Sequence, residues 1–113
     1  LRTKVPKDQA PDFSVEWHTQ ETQALLYRLT GDINPIHSDP EVAKAAGFER
    51  PILHGLCSYG FAGHAALKAL AGNDPARFKS MEARFTSPVL PGQTLRVEGW
   101  VLEPGKAALT VRV

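Results

Sequence analysis

Asp32 and His37 have the residue types and the spacing for acid–base chemistry. They lie five residues apart in the stretch GDINPIHSDP, which runs from Gly31 to Pro40. Pro35 prevents a regular helix from continuing through this stretch and favours an extended Asn34. On such a rigid loop the carboxylate and the imidazole can converge on one water, where one group takes up a proton and the other donates one.

The spacing of these residues also allows other interpretations of the same loop. Asn34 can orient a water or a substrate carbonyl through its amide, but Asp and Asn also cap turns, and a loop histidine is usually a surface residue. A metal site built from His37, Asp39 and His54 is a third interpretation. It is the least favoured, because no His-x-His or His-x-x-x-His spacing supports it, and we expect no metal.

A second candidate element is ILHGLC, from Ile52 to Cys57. If a helix begins here, the Gly55 N–H is one of its unpaired first-turn donors and lies at the positive end of the helix dipole. Glycine lets a carbonyl approach without a Cβ in the way, as an oxyanion-hole donor requires. A tight turn into a helix also explains the glycine. Cys57 is better interpreted as a buried free cysteine than as a nucleophile.

The elements before this loop follow from hydrophobic patterning. Alternation of apolar and polar residues predicts a strand from Phe13 to Trp17. A helix is expected from about Gln20 to Thr30, capped by Thr19 and stopped by Gly31. Three leucines would form its buried stripe: Leu25, Leu26 and Leu29.

Two further helices are predicted on either side of residue 50. Asp39 and Pro40 are typical of the N-cap and first position of a short helix, which Gly47 would stop. From Gly55 to Ala71 the residues are small or apolar on nearly every side, so this helix should be buried all round.

The last third of the chain is strand-like. Apolar residues alternate in three segments, 81–85, 95–101 and 107–113, and PGQT and EPGK supply turns. One buried helix followed by an antiparallel meander predicts an α+β fold, with the helix inside a curled sheet.

Composition narrows the class of protein. The 113 residues fit one domain or part of one, and 42% are apolar, which is enough for a core. With 13 basic and 12 acidic residues the net charge is +1, so neither nucleic acid nor an anionic membrane is an expected partner. The single cysteine excludes an internal disulfide and suggests a reducing compartment, the cytoplasm or, in a eukaryote, the peroxisome. No apolar run is long enough to span a bilayer.

Two segments together resemble the MaoC-like (R)-specific enoyl-CoA hydratases, the hydratase 2 group. They are YRLTGDINPIHSDPEVAKAAGFERPILHGLC and ARFTSPVLPGQTL, and the similarity extends from about Trp17 to Leu95. The resemblance implies the hot-dog fold, in which an antiparallel sheet wraps a long helix. We expect residues 1–11 to be a lead-in segment and residues 12–113 to be a hot-dog domain that is incomplete at its C-terminus.

The resemblance also implies a reaction, the reversible syn addition of water to a trans-2-enoyl-CoA to give a (3R)-hydroxyacyl-CoA. Asp32 and His37 would be the catalytic pair, Asn34 would help to hold the site, and the Gly55 N–H would polarise the thioester carbonyl. The substrate-binding residues would be Ile33, Pro35, Ile36 and Phe85. No cofactor is implied, because the CoA thioester is the substrate.

The segment PILHGLC most resembles the larger members of this group, which are built from two hot-dog halves. A second hot-dog unit, fused in the same polypeptide or supplied by a homodimer, is therefore an expected partner. Two alternatives remain: a hot-dog acyl-CoA thioesterase, and a non-catalytic half for acyl binding or assembly.

Overall fold

A three-stranded antiparallel sheet and one long helix make up the framework of the protein. The computed structural model describes residues 3–113. The strands and helices, in chain order, are β1 (Phe13–His18), α1 (Gln23–Tyr27), α2 (Pro40–Ala45), α3 (Gly55–Leu70), β2 (Thr94–Glu103) and β3 (Lys106–Arg112). Short 3₁₀ turns lie at Arg28–Thr30, Pro35–His37 and Pro75–Arg77. The α+β architecture is thus confirmed.

The sheet has the order β1-β2-β3, and β2 pairs antiparallel with both neighbours. Leu95 and Val97 of β2 are fully buried at its centre. Gly99 lies opposite Phe13 in the register, and a Cβ there would collide with the Phe13 ring. The strands that alternation predicted at residues 13–17, 95–101 and 107–113 are therefore confirmed. A two-residue turn at Pro104–Gly105 closes the β2–β3 hairpin.

Helix α3 packs against β1 and β2 through small side chains. Ala62, Ala65 and Ala66 are buried on it, and the ring of Trp17 from β1 stacks on His64 with 4.7 Å between ring centroids. The prediction that this helix is buried all round is wrong for the described chain. Leu56 is 64% exposed, because the strands cover one side of the helix only.

The predicted leucine stripe of the first helix is also wrong. Leu25, Leu26 and Leu29 are 54%, 53% and 81% exposed, whereas Ala24 is buried and Tyr27 is packed against the core. The regular helix has five residues rather than about eleven, and its inward face carries positions 24 and 27, three residues apart. The predicted cap, Thr19, instead donates its hydroxyl to the Gln93 carbonyl at 2.6 Å.

The strand predicted at residues 81–85 does not form within the described chain, although the Met81 carbonyl accepts a hydrogen bond of 2.5 Å from the Tyr59 hydroxyl. A strand needs a neighbour to satisfy its backbone groups, and none pairs with this segment. A cavity of about 330 Å³ lies between residues 77–81, the C-terminal half of α3 and the β2–β3 hairpin. Among the described residues, no helix is long and apolar enough to cross a membrane.

Candidate active site

Three side chains meet where the 31–40 loop passes the start of α3. Asp32, His37 and His54 each place one carboxylate oxygen or ring nitrogen within 4.8 Å of the others. Asp32 is exposed, His37 is half-buried and His54 is buried. Two of these are the pair expected from sequence, and the third comes from the residue just before Gly55.

Asn34 holds the loop in shape. Its side-chain oxygen accepts a hydrogen bond from the Ile36 N–H at 3.1 Å, and its own N–H donates to Asp32 Oδ1 at 3.2 Å. These bonds cap the Pro35–His37 turn and lock the Asp32 carboxylate to the backbone. The arrangement suits a supporting role for Asn34 better than direct contact of its carbonyl oxygen with a substrate.

His37 is oriented by a backbone carbonyl. Its Nδ1 lies 2.8 Å from the Ile52 carbonyl oxygen, which can only accept, so Nδ1 carries the proton. In the neutral ring this leaves Nε2 unprotonated, with a lone pair available as a base. The loop and the segment before α3 thus fix both the tautomer and the direction of the reactive nitrogen.

His54 is the site residue that sequence reasoning missed, since it entered only as a metal alternative. It is 1% exposed and donates from Nε2 to the Asp32 carbonyl at 3.1 Å. Its ring stacks on His37 with 3.8 Å between centroids, and the Tyr27 ring centroid lies 4.8 Å from it. Its position immediately before the predicted oxyanion donor was the available signal.

The geometry favours proton transfer over metal binding. Asp39 of the metal alternative caps α2, accepting the Glu41 N–H at 2.9 Å, and does not belong to the cluster. The His37 and His54 rings are stacked at 25°, so their lone pairs lie in separate, nearly parallel planes, which is unfavourable for binding one ion between them. One nitrogen of each ring is also committed to a carbonyl.

Gly55 is the first residue of α3, and its neighbour in space is Phe85. A Cβ built on Gly55 would lie 3.3 Å from Phe85 Cε1, so the ring rests directly over the helix start. The first N–H groups of a helix have no carbonyl one turn earlier and remain free to donate. The structure therefore brings Phe85 to the candidate oxyanion donor.

The other three expected substrate-binding residues lie on the loop itself. Ile33 is 65% exposed, Pro35 is exposed and Ile36 is half-buried. With Leu56 they place exposed apolar groups beside both the acid–base pair and the helix start. Cys57, in contrast, packs in the core with Ala24 and Leu53, and burial raises the pKa of its thiol, which disfavours a thiolate nucleophile.

A sheet with one long helix, and a carboxylate–imidazole loop at the start of that helix, are the features expected of a hot-dog protein. A family model described as "MaoC like domain" matches residues 3–112, and the chain belongs to this family. The hot-dog fold is thereby confirmed. A crystal structure of a MaoC-like dehydratase from Phytophthora capsici superimposes with a TM-score of 0.96 at 47% identity, covering 100% of this chain and 38% of that one.

Two curated relatives are named for the same activity. The chain is 51% identical over 102 residues to a probable enoyl-CoA hydratase 2 of Dictyostelium discoideum, covering 89% of this chain and 35% of that protein. It is 54% identical over 101 residues to a peroxisomal enoyl-CoA hydratase 2 of Arabidopsis thaliana, covering 89% and 32%. The chain therefore spans about a third of the length of these relatives.

Proposed function

We propose that this chain carries the catalytic site of an (R)-specific enoyl-CoA hydratase, which adds water reversibly to a trans-2-enoyl-CoA and forms a (3R)-hydroxyacyl-CoA. The observation that carries the proposal is the convergence of Asp32 and His37 beside the start of α3. The relatives named enoyl-CoA hydratase 2 support the same conclusion.

Asp32 and His37 would divide the two proton transfers. As the water oxygen bonds to Cβ of the enoyl group, one of the two residues removes a proton from that water. The other residue, protonated at the start of this step, gives its proton to Cα on the same face, so the addition is syn. Transfer of the water proton from the first residue to the second then restores the pair for the next turnover. An acid–base group of this kind contributes about a hundred- to ten-thousandfold in rate.

The electrons of the double bond move toward the thioester oxygen during the addition. The Gly55 N–H at the start of α3 would stabilise that oxygen, and a single donor of this kind contributes on the order of a hundred- to a thousandfold. Because the thioester itself accepts the charge, the proposed reaction needs no cofactor. Phe85 would lie beside the thioester, with Ile33, Pro35 and Ile36 on the loop side of the substrate.

We also propose that a second hot-dog unit, fused or in a homodimer, completes the acyl pocket. The exposed side chains of Ile33, Leu56 and Phe85 lie beside the site without cover from residues 3–113. The domain would comprise residues 12–113 and need a further strand along β3, next to the 330 Å³ cavity. The lead-in before it bonds to the sheet, since Trp100 donates its ring N–H to the Gln9 carbonyl at 2.9 Å.

The proposed setting is the metabolism of fatty acyl thioesters in a reducing compartment, the cytoplasm or the peroxisome. Neither nucleic acid nor a membrane takes part in the proposed reaction, and the net charge of +1 agrees with this.

The test is an assay of the complete natural polypeptide with crotonyl-CoA and with a long-chain trans-2-enoyl-CoA. We expect loss of the conjugated absorbance and a product of R configuration. Release of free CoA thiol without loss of conjugation would identify a thioesterase instead. Binding of the acyl-CoA with neither change would identify a non-catalytic half, and both of these outcomes overturn the proposal.

Gly55→Val should harm catalysis more than Asn34→Ala. A branched side chain at Gly55 would meet the Phe85 ring and obstruct the approach of the thioester oxygen, which removes about a hundredfold or more of rate. Asn34→Ala removes one turn-capping bond and leaves both proton-transfer groups in place. Turnover numbers of the two variants under saturating crotonyl-CoA decide the order.

A structure with a bound enoyl-CoA analogue provides the direct check. The thioester oxygen should lie within hydrogen-bond distance of the Gly55 N–H. An oxygen placed elsewhere, or a Gly55→Val enzyme as fast as Asn34→Ala, contradicts the oxyanion assignment.

A further inference from the structure

We propose that His54 is a positioning residue for this reaction, one that fixes Asp32 and His37 relative to each other without touching the substrate. The inference rests on the proposed hydratase function. Because His54 is only 1% exposed, a substrate at the exposed Asp32 carboxylate has no direct access to its ring. Any effect of His54 on the reaction must therefore pass through the groups that it contacts.

The first contact fixes the backbone of Asp32. His54 Nε2 donates to the Asp32 carbonyl oxygen at 3.1 Å. Asp32 follows Gly31, which has a φ of 119° and therefore a conformation open to few other residues, and both lie on an exposed loop. The bond from a buried side chain holds this end of the loop to the start of α3.

The second contact fixes the ring of His37. The two imidazoles stack with 3.8 Å between centroids and 25° between planes. The Ile52 carbonyl holds the edge of the His37 ring, and His54 covers one face. With an edge and a face both held, Nε2 of His37 points in one direction only.

The third link is covalent, because His54 is the N-cap residue of α3 and directly precedes Gly55. One residue, His54, therefore contacts the backbone of Asp32 and the ring of His37 and is bonded directly to Gly55, the candidate oxyanion donor. Packing alone does not explain a histidine here. Nδ1 of His54 is buried without a protein partner in the described chain, which is unfavourable, and an apolar side chain of similar size would avoid it.

Two substitutions separate the two contacts in the complete natural polypeptide. His54→Phe keeps an aromatic face for His37 and removes the donor to Asp32. His54→Gln keeps an N–H donor near the position of Nε2 and removes the stack. Val97→Ala is the matched control, because Val97 is fully buried at the sheet centre and belongs to neither the site nor its contacts.

Each His54 variant should lower kcat for crotonyl-CoA about ten- to a hundredfold, since misplacing a reactive group by about 1 Å has effects of this size. KM should change by less than about threefold, because the substrate does not touch His54. Val97→Ala should lose thermal stability and keep the kcat of the folded enzyme. His54 variants that lose stability but keep kcat would show an ordinary core residue and overturn the inference.

A spectroscopic measurement tests the same arrangement without relying on activity. In ¹H–¹⁵N spectra of the imidazoles, His37 should be protonated on Nδ1 and His54 on Nε2. His54→Gln should shift the His37 ring protons downfield, because the stacked ring and its ring current are gone. If His37 is protonated on Nε2, or if its ring-proton signals do not shift in His54→Gln, the positioning role is overturned. A wild-type protein that hydrates no enoyl-CoA overturns only the proposed function.

Discussion

Asp32→Asn and His37→Gln should each lower the turnover of an enoyl-CoA by at least about a hundredfold while the protein stays folded. Both residues lie on one loop and meet at the start of α3. Asn cannot exchange a proton as a carboxylate does, and Gln has no ring nitrogen with a free lone pair. Neither change opens a cavity, since Asp32 is exposed and His37 is half-buried.

The chain offers a matched control for each substitution. Asp39→Asn makes the same chemical change on the same loop, and Asn caps a helix as well as Asp does, so α2 should persist. His18→Gln changes an exposed histidine whose Nδ1 lies 2.6 Å from the Thr94 hydroxyl oxygen. Both controls should keep the wild-type kcat. Near-normal turnover in Asp32→Asn or His37→Gln, with an unchanged melting temperature, would refute the catalytic assignment.

The double variant distinguishes a pair from two independent groups. If Asp32 and His37 act on one water, removing the second after the first should cost little more, because groups that work as a unit are strongly non-additive. Two effects that multiply in full would mean that the residues serve separate steps.

The strands of the sheet could be predicted from sequence because their signal is local. β2 and β3 alternate with a period of two and are joined by a turn of Pro104 and Gly105, whose positive φ of 83° suits glycine. The Asp39–Pro40 start of α2 was equally local, and the structure shows the Asp39 side chain accepting a hydrogen bond from the Glu41 N–H, two residues on.

The predictions that were wrong share one physical cause. Hydrophobic periodicity shows which side chains favour burial, but it does not show which element covers them. Leu25, Leu26 and Leu29 and the outer face of α3 at Leu56 were expected to be covered. The segment 81–85 was expected to pair as a strand. Within residues 3–113 neither happens.

The residues of the candidate site also fall into those that local sequence could predict and those that depend on the fold. Asp32 and His37 could be paired from sequence because Pro35 stiffens a short loop that carries both. His54 could not, since its contact with them depends on how α3 packs against the loop. Likewise Phe85 reaches Gly55 through the fold alone, and only the resemblance placed it beside the substrate.

Residues 1–113 expressed alone should aggregate or form a dimer of poor activity. β3 has a free edge in the described sheet, with backbone groups that can pair with another chain. Large apolar side chains are exposed beside the site, among them Ile33 at 65% and Leu56 at 64%. A domain of this size buries only about two-thirds of its unfolded-chain surface, so it has little stability to spare.

A second hot-dog unit should reverse this behaviour if it covers the apolar face beside the site. Leu56→Lys tests that face, because Leu56 is exposed on the first turn of α3 next to Gly55. In the isolated chain the lysine should reduce aggregation. In the complete natural polypeptide it should weaken the interface and lower both thermal stability and turnover. Ala45→Lys, at an exposed position of α2, is the control and should do neither.

Light scattering and an enoyl-CoA assay on the same samples show whether the second unit is needed. If the second unit is needed, the isolated chain should be an aggregate or a dimer with low turnover, and the complete polypeptide should be well defined and active. The alternative is that the loop, the start of α3 and Phe85 form a sufficient site within this one domain. A monodisperse monomer of residues 1–113 with full activity would establish that alternative, because no partner would then be present to cover Leu56 or extend β3.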